Sequence, residues 1–158
     1  MATPCSYSVT ELYLSLGSNL GDRHALLLRA IDLLARRVGR LIRASSFIET
    51  EPWGYHSPNR YLNAVVLLHT DLTPHQVLLT TQAIERQLGR TTKTTGNHYS
   101  DRPIDIDILL YGDLHLTTPD LTIPHPRMMQ RDFVLRPLRE IQLALSSLTT
   151  PPPSPLPR

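Results

Sequence analysis

The stretch Asp101-Arg102-Pro103-Ile104-Asp105-Ile106-Asp107-Ile108-Leu109-Leu110-Tyr111 sets the terms for the rest of the chain. Its isoleucine-rich part, from Ile104 to Tyr111, reads as a buried strand. Successive side chains of a strand point to opposite faces, so Asp105 and Asp107 share one face, with Cβ atoms roughly 7 Å apart, while Ile104, Ile106 and Ile108 take the other. The apolar run that follows predicts a central position in the sheet. Two adjacent carboxylates there repel each other and lose hydration unless cations offset them. Mg²⁺ would do so, as one or two hard cations held by a few carboxylate oxygens and completed by water and substrate phosphates. The other reading is a strand mouth at which both aspartates are simply solvated, and spacing alone leaves the two open.

Outward from this strand, the preceding loop, Arg90 to Pro103, is longer than most connections in compact domains, which makes it a candidate lid or binding loop. Before it, Thr73 as N-cap, Pro74 at the first helical position, Gln76 as capping-box partner and Gly89 as stop signal predict a helix over Pro74 to Leu88. Its buried stripe is Val77, Thr81, Ile84 and Leu88, which leaves Gln82 and Glu85 on a neighbouring face. Nearer the N-terminus, Glu11 to Leu16 reads as a strand, Gly17 to Asp22 as a turn, and Ala25 to Val38 as a core-packing helix. Leu41 to Glu49 and Tyr61 to Thr70 read as two further strands, with the loop Thr50 to Arg60 between them. After the aspartates a short strand is expected near Leu114 to Thr117, and Arg127 to Ile141 is helical in part. Two strand-helix-strand stretches without a Gly-x-Gly-x-x-Gly fingerprint predict an α+β sandwich with a mainly antiparallel sheet.

The length of 158 residues suits one domain, read as residues 1–148, followed by a tail from Thr149 to Arg158 with five of the 14 prolines in its last eight residues. Such a tail reads as disordered. Hydrophobic residues at 41% and charged residues at 19% fit an ordinary globular protein. No run is long enough to span a bilayer and no signal peptide is visible, so the expected location is the cytoplasm. The single cysteine, Cys5, excludes an internal disulfide, and the seven histidines show no zinc-like spacing. A net charge of +2 is too small to argue for duplex nucleic acid, although a pI near 8.9 is compatible with a phosphate-bearing partner.

Arg90, Lys93 and Arg102 on the long loop, with Arg127 and Arg131 further on, are candidates to neutralise a polyphosphate; each taken alone also fits a solvated basic surface. Trp53, Tyr55, Tyr61, Tyr99 and Phe133 lie in or beside loops, where flat side chains suit a flat heterocycle or cap a core. Asn63 can match one donor and one acceptor of an amide-like ring edge, or form a turn.

Read together, these residues make the chain resemble the 6-hydroxymethyl-7,8-dihydropterin pyrophosphokinase family from about Tyr13 to Ile141. The resemblance rests on Leu16-Gly17-Ser18-Asn19-Leu20-Gly21, Tyr61-Leu62-Asn63-Ala64, Gln82-Ala83-Ile84-Glu85 with Gly89-Arg90, the run Asp101 to Leu109, Ile123-Pro124-His125, and Arg131-Asp132-Phe133-Val134-Leu135. It implies a ferredoxin-like α-β-α sandwich and transfer of the terminal pyrophosphate of ATP to the pterin's hydroxymethyl group, with release of AMP. It further implies Asp105 and Asp107 as ligands of two Mg²⁺, and Tyr61 and Phe133 as the walls that sandwich the pterin. Asn63, with the backbone of Thr50 and Trp53, would read the pterin's polar edge. Arg90, Arg102 and His125 would meet the phosphates, and Gln82, Glu85, Ile108, Thr122 and Arg131 the nucleotide. ATP and the reduced pterin are the expected partners; the length suits a stand-alone protein, expected as a monomer, and work fused or bound to neighbouring folate enzymes is the other reading. The loop over residues 90–103 would close over bound nucleotide. The chain departs from the family pattern at Ser100-Asp101, where Gly-Pro usually precedes the arginine, and at Thr92, Tyr99 and Pro126. An inactive ferredoxin-like pterin- or nucleotide-binding module is the alternative. Retention of both aspartates, Arg90, Arg102 and His125 speaks against it.

Overall fold

The computed structural model describes residues 9–90 and 101–149. Cys5, residues 91–100 of the expected lid, with Lys93 and Tyr99, and residues 150–158 of the Pro-rich tail lie outside the described residues.

The order of elements is β1 (Thr10–Ser18), α1 (Arg23–Arg37), β2 (Arg40–Ala44), β3 (Ile48–Thr50), β4 (Tyr61–Thr70), α2 (Pro74–Gln87), β5 (Asp105–Tyr111), β6 (Leu116–Thr117), β7 (Thr122–Ile123) and α3 (Asp132–Thr149), with one 3₁₀ turn at Met128–Gln130. The main sheet runs β2-β4-β1-β5, with β3 continuing the β2 edge along β4, and every pairing is antiparallel. With β2 and β3 counted as one broken strand, this is the ferredoxin-like α+β sandwich expected from sequence.

Local signals place the helices. Asp22 caps α1 by accepting the Ala25 N–H at 3.1 Å. Thr73 and Gln76 form the expected capping box of α2. At Gly39, between α1 and β2, an added Cβ would stand 2.2 Å from the His69 carbonyl oxygen, so only glycine permits this close crossing over β4. The alternation of each strand then divides the core. Leu12, Leu14, Leu16, Val66, Leu68, Ile104, Ile106 and Ile108 pack beneath α1 and α2. Tyr13, Val65, Leu67 and Leu109 pack on the other face against Val134, Leu138 and Ile141 of α3. Each of these three α3 side chains contributes roughly 1.5–3 kcal/mol by burial, and together they dock the helix.

The structure corrects several sequence expectations. β5 is an edge strand, not a central one; its apolar character comes from being sandwiched between α2 on one face and α3's core on the other. Gly17 and Ser18 belong to β1, because pairing of both with β4, and of Gly17 with β5 as well, overrides their turn-forming composition. The single strand expected over Leu41 to Glu49 is broken between Ala44 and Ile48. There Ser45 donates its N–H to the Val65 carbonyl and accepts the Val65 N–H on its hydroxyl, both at 2.9 Å. The C-terminal helix runs past Ile141 to Thr149 with Pro137 in its second turn.

Candidate active site

The antiparallel register builds the floor of a cleft from three strands. Asn63 of β4, Gly17 of β1 and Asp105 of β5 stand abreast, and one pleat on so do Val65, Ser15 and Asp107. These residues lie on the α3 face. The helix covers the half of that face carrying Tyr13, Leu67 and Leu109, and the other half is left as the floor of a cleft of about 270 Å³. That volume is at the low end of the roughly 300–1,000 Å³ usual for small-molecule sites. The small side chain of Ser15 and the bare backbone of Gly17 give the cleft its depth, while Trp53, Tyr55, Tyr61 and Phe133 supply aromatic walls.

One end of the floor is polar and neutral. Asn63 is buried, 3% exposed, and its amide donates to Thr50 Oγ1 at 2.6 Å, which turns its carbonyl oxygen toward Gly17. The opposite end is ionic. Arg90 pairs with Glu85 and also lies 2.7 Å from Asp105 Oδ1, while Arg102 approaches the same oxygen at 3.6 Å. Arg131 stands 3.9 Å from Asp107 Oδ2, and its guanidinium lies 4.6 Å from the Trp53 ring and 5.6 Å from the Phe133 ring. Its Nε is buried and finds no hydrogen-bond partner among the described residues. Arg127 also lies over the Trp53 ring, 5.5 Å from its centroid.

Crowding of charge shows in the titration of the carboxyls. Burial pushes the Glu85 pKa up to about 7, with Asp105 adding to the rise and Arg90 opposing it. Asp107 is raised by burial and then by Asp105, against the pull of Arg131, yet 33% of its side-chain surface still faces the cleft. His125 is lowered to about 4, first by burial and then by Arg131, so it is neutral near pH 7. Its Nδ1 accepts the Arg127 N–H at 3.2 Å, which assigns the ring proton to Nε2 as a donor.

Of the residues singled out from sequence, Thr50, Trp53, Tyr55, Tyr61, Asn63, Arg90, Arg102, Asp105, Asp107, His125, Arg131 and Phe133 all line this one cleft. Glu85 lies behind it as the partner of Arg90. Gln82, Ile108 and Thr122 are not among its lining residues. The Ile108 side chain is buried beneath α1 and α2, so only its backbone is available to a ligand. Sequence reasoning passed over Ser15 and Gly17 as floor, and Asn19, Ser57, Asn59 and Asp101 as a polar knot behind the wall. The odd-numbered alternation of β1 with Asp105 and Asp107 was the signal for the floor; the knot spans too many residues to leave one.

Among the described residues no group of three or more His, Cys, Asp or Glu side chains forms a metal cage of its own. Asp105 and Asp107, side by side and partly open, fit a hard cation that takes its remaining ligands from water and phosphate.

A shallow aromatic cleft set against paired carboxylates and three guanidiniums, on a ferredoxin-like sandwich, defines a class of protein that handles a flat heterocycle beside a polyphosphate. Residues 13–143 match the family model of 7,8-dihydro-6-hydroxymethylpterin-pyrophosphokinase (HPPK), and the chain belongs to that family. It is 58% identical over 131 residues to the 2-amino-4-hydroxy-6-hydroxymethyldihydropteridine pyrophosphokinase of Porphyromonas gingivalis, a match covering 82% of this chain and 89% of the relative. The Bacillus subtilis enzyme of the same name is 42% identical over 130 residues, covering 82% and 76%. A folate synthesis bifunctional protein from Pisum sativum is 38% identical over 131 residues that make up 83% of this chain and 25% of the relative. Among solved structures, Plasmodium falciparum HPPK-DHPS superposes with a TM-score of 0.68 at 16% identity, over 87% of this chain and 43% of that one, which bears on the fold alone.

Proposed function

We propose that the cleft is divided into a pterin end and a phosphate end, and that the chain works as its family does. It is an ATP-dependent diphosphotransferase of folate synthesis, moving pyrophosphate from ATP to the hydroxymethyl group of 6-hydroxymethyl-7,8-dihydropterin and releasing AMP. The hydroxymethyl oxygen forms a bond to the β-phosphorus as the β-phosphorus bond to the α-phosphate oxygen breaks. Phosphoryl-type transfer needs positioning and charge compensation more than covalent help from the protein.

The observation that carries the division is the row Asn63, Gly17, Asp105, in which a neutral amide and a carboxylate flank a residue with no side chain. A flat ring resting over Gly17, between Tyr61 and Phe133, has its amide-like edge at Asn63, with the backbone of Thr50 and Trp53 beside it. Its substituent then points toward the aspartates. Arg90, Arg102, Arg131 and neutral His125 meet the phosphates, Arg131 with the Nε donor that no group among the described residues uses. Asp105 and Asp107 are the residues to hold two Mg²⁺, which when bound offset phosphate charge and align the two reacting oxygens. Before substrate arrives, Arg90 and Arg102 supply that offset themselves.

The nucleotide base belongs at the outer edge of β5. The Ile106 N–H faces Glu85 at 3.4 Å, away from β1, and the backbone of Ile108 repeats that orientation two residues on. α2, which carries Gln82, and β7, which carries Thr122, both pack against β5. A monomer is the working unit of this reading, and ATP as co-substrate supports the cytoplasm as its place of work. Among the described residues no helix is long and apolar enough to cross a membrane.

Incubation with Mg-ATP and the reduced hydroxymethylpterin tests the reading: AMP and the pterin diphosphate should appear in equal amounts. ADP as the nucleotide product, or no turnover, would overturn it.

A further inference from the structure

We propose that Asp101, which does not line the cleft, is a positioning residue that fixes the cleft's aromatic wall through Tyr55 and Tyr61. The inference rests on the pterin-end reading given above. Between β3 and β4 the chain over residues 51–60 forms neither helix nor strand, so little in its backbone holds it in place. Much of what ties it down converges on one carboxylate. Asp101 Oδ1 accepts from Asn19 Nδ2 at 2.8 Å and from the Tyr55 hydroxyl at 3.0 Å. Its Oδ2 accepts from Ser57 Oγ at 2.9 Å and from Asn59 Nδ2 at 2.8 Å. Four donors, two to each oxygen, fill a carboxylate's acceptor sites and tie this loop to the β1–α1 connection. Asn19 completes the knot: its Oδ1 accepts the Arg102 N–H at 2.7 Å, and its own N–H donates to the Arg102 carbonyl at 3.1 Å.

The hydroxyl of Tyr55 has one proton, and the charged acceptor takes it. Its oxygen then accepts from Asn19 Nδ2 at 2.9 Å and from the Tyr61 hydroxyl at 3.0 Å. The chain Tyr61 to Tyr55 to Asp101 thus has a single direction, set by the carboxylate at its end. Burial raises the Tyr55 pKa well above its usual value, in keeping with a phenol that remains a donor. Tyr61 is the wall nearest the floor: a Cβ at Gly17 would lie 3.4 Å from its ring. The tilt of that ring is therefore tethered to a residue outside the cleft.

Asp101→Asn keeps the shape and breaks the logic, since its new NH₂ group must face a donor, Asn59 Nδ2 or Asn19 Nδ2. The double variant Asp101→Asn with Asn59→Asp restores a carboxylate opposite an amide. In steady-state assays of AMP formation, Asp101→Asn should raise the KM for the reduced hydroxymethylpterin about tenfold while kcat and the KM for ATP stay within about threefold. The double variant should return the pterin KM to within about threefold of wild type. Amide exchange over residues 53–60 should quicken in the single variant and slow again in the double. A wild-type pterin KM in Asp101→Asn overturns the proposal. So does a parallel loss of kcat and of affinity for both substrates that the swap fails to restore, which marks a merely structural role. If Asp101→Asn does not fold, Tyr55→Phe removes only the relay and carries the same expectation for the pterin KM. If wild type makes no AMP, the pyrophosphokinase reading falls, and equilibrium dialysis of 6-hydroxymethylpterin against wild type and Asp101→Asn decides the role of Asp101 by itself.

Discussion

Gly17→Ala should leave the protein folded and cripple its use of the pterin. A Cβ at this position would lie 3.1 Å from Asn63 Oδ1 and 3.4 and 3.7 Å from two ring carbons of Tyr61. The first contact is short by a few tenths of an ångström, and the neighbours yield little. Asn63 is held by its 2.6 Å bond to Thr50, and Tyr61 by its 3.0 Å bond to Tyr55. The backbone at Gly17 is not in the left-handed region, so alanine meets no conformational strain. Loss of glycine freedom in the unfolded chain should stabilise by about 0.4–1 kcal/mol, against an overpacking cost near the lower end of about 1–3 kcal/mol. The melting temperature should then stay within roughly 4 °C of wild type. Substrate suffers more, because the methyl stands about 1.5 Å above the floor on which the ring rests. A ring lifted by about 1 Å loses its register with the phosphate end, and misplacement of that size costs about a hundredfold. Initial rates of AMP formation across a pterin series should show kcat/KM down about a hundredfold, with ATP affinity by calorimetry unchanged. A kcat/KM for pterin within about threefold of wild type would refute the placement of the ring over Gly17.

Two further predictions follow from the charges. Asp105→Asn and Asp107→Asn should each remove most turnover, but melting should separate them. Asp105 takes ion pairs from Arg90 and Arg102, so its loss should cost about 2 kcal/mol of stability, whereas loss of Asp107, whose charge is disfavoured by burial and by Asp105, should leave stability equal or higher. Matching melting shifts in the two variants would contradict the ion-pair assignment. His125 has a folded pKa of about 4, below the ordinary histidine value near 6.5, so its contribution is fully present above that ordinary value and is lost as pH falls toward 4. His125→Asn should therefore lose less stability than wild type between pH 7 and 4.5 in thermal melts; identical profiles would show that the imidazole is not held neutral.

Much of this was legible in the chain, for identifiable reasons. The capping box at Thr73 and Gln76 and the alternation of Ile and Asp in β5 are local, and local signals survive folding unchanged. Twelve of the fifteen residues lining the cleft stand out in the sequence by type or role. What failed was non-local. Gly17 and Ser18 look like a turn until two neighbouring strands claim them. β5 looked central because burial on both faces gives an edge strand the same apolar sequence. Asp101 gathers donors from as far off as Asn19, 82 residues away, and nothing in either neighbourhood announces the other. Pro137 masked the length of α3, since a proline in the second turn costs one backbone bond yet leaves the apolar stripe of Leu138, Ile141 and Leu145 to carry the helix on.

The gap between β2 and β3 has a consequence for how the molecule behaves among copies of itself. An unbroken strand along the ten residues of β4 would present a long row of open amides and carbonyls, a template on which another chain can pair. Here the row is cut into pieces of five and three residues. At the cut, the Ser46 N–H and hydroxyl turn to Glu140 of α3, at 3.0 and 2.8 Å. Lengthening this edge by removing the kink would add backbone pairing sites at the cost of solubility, so the interruption protects a crowded solution from the stickiness of its own sheets.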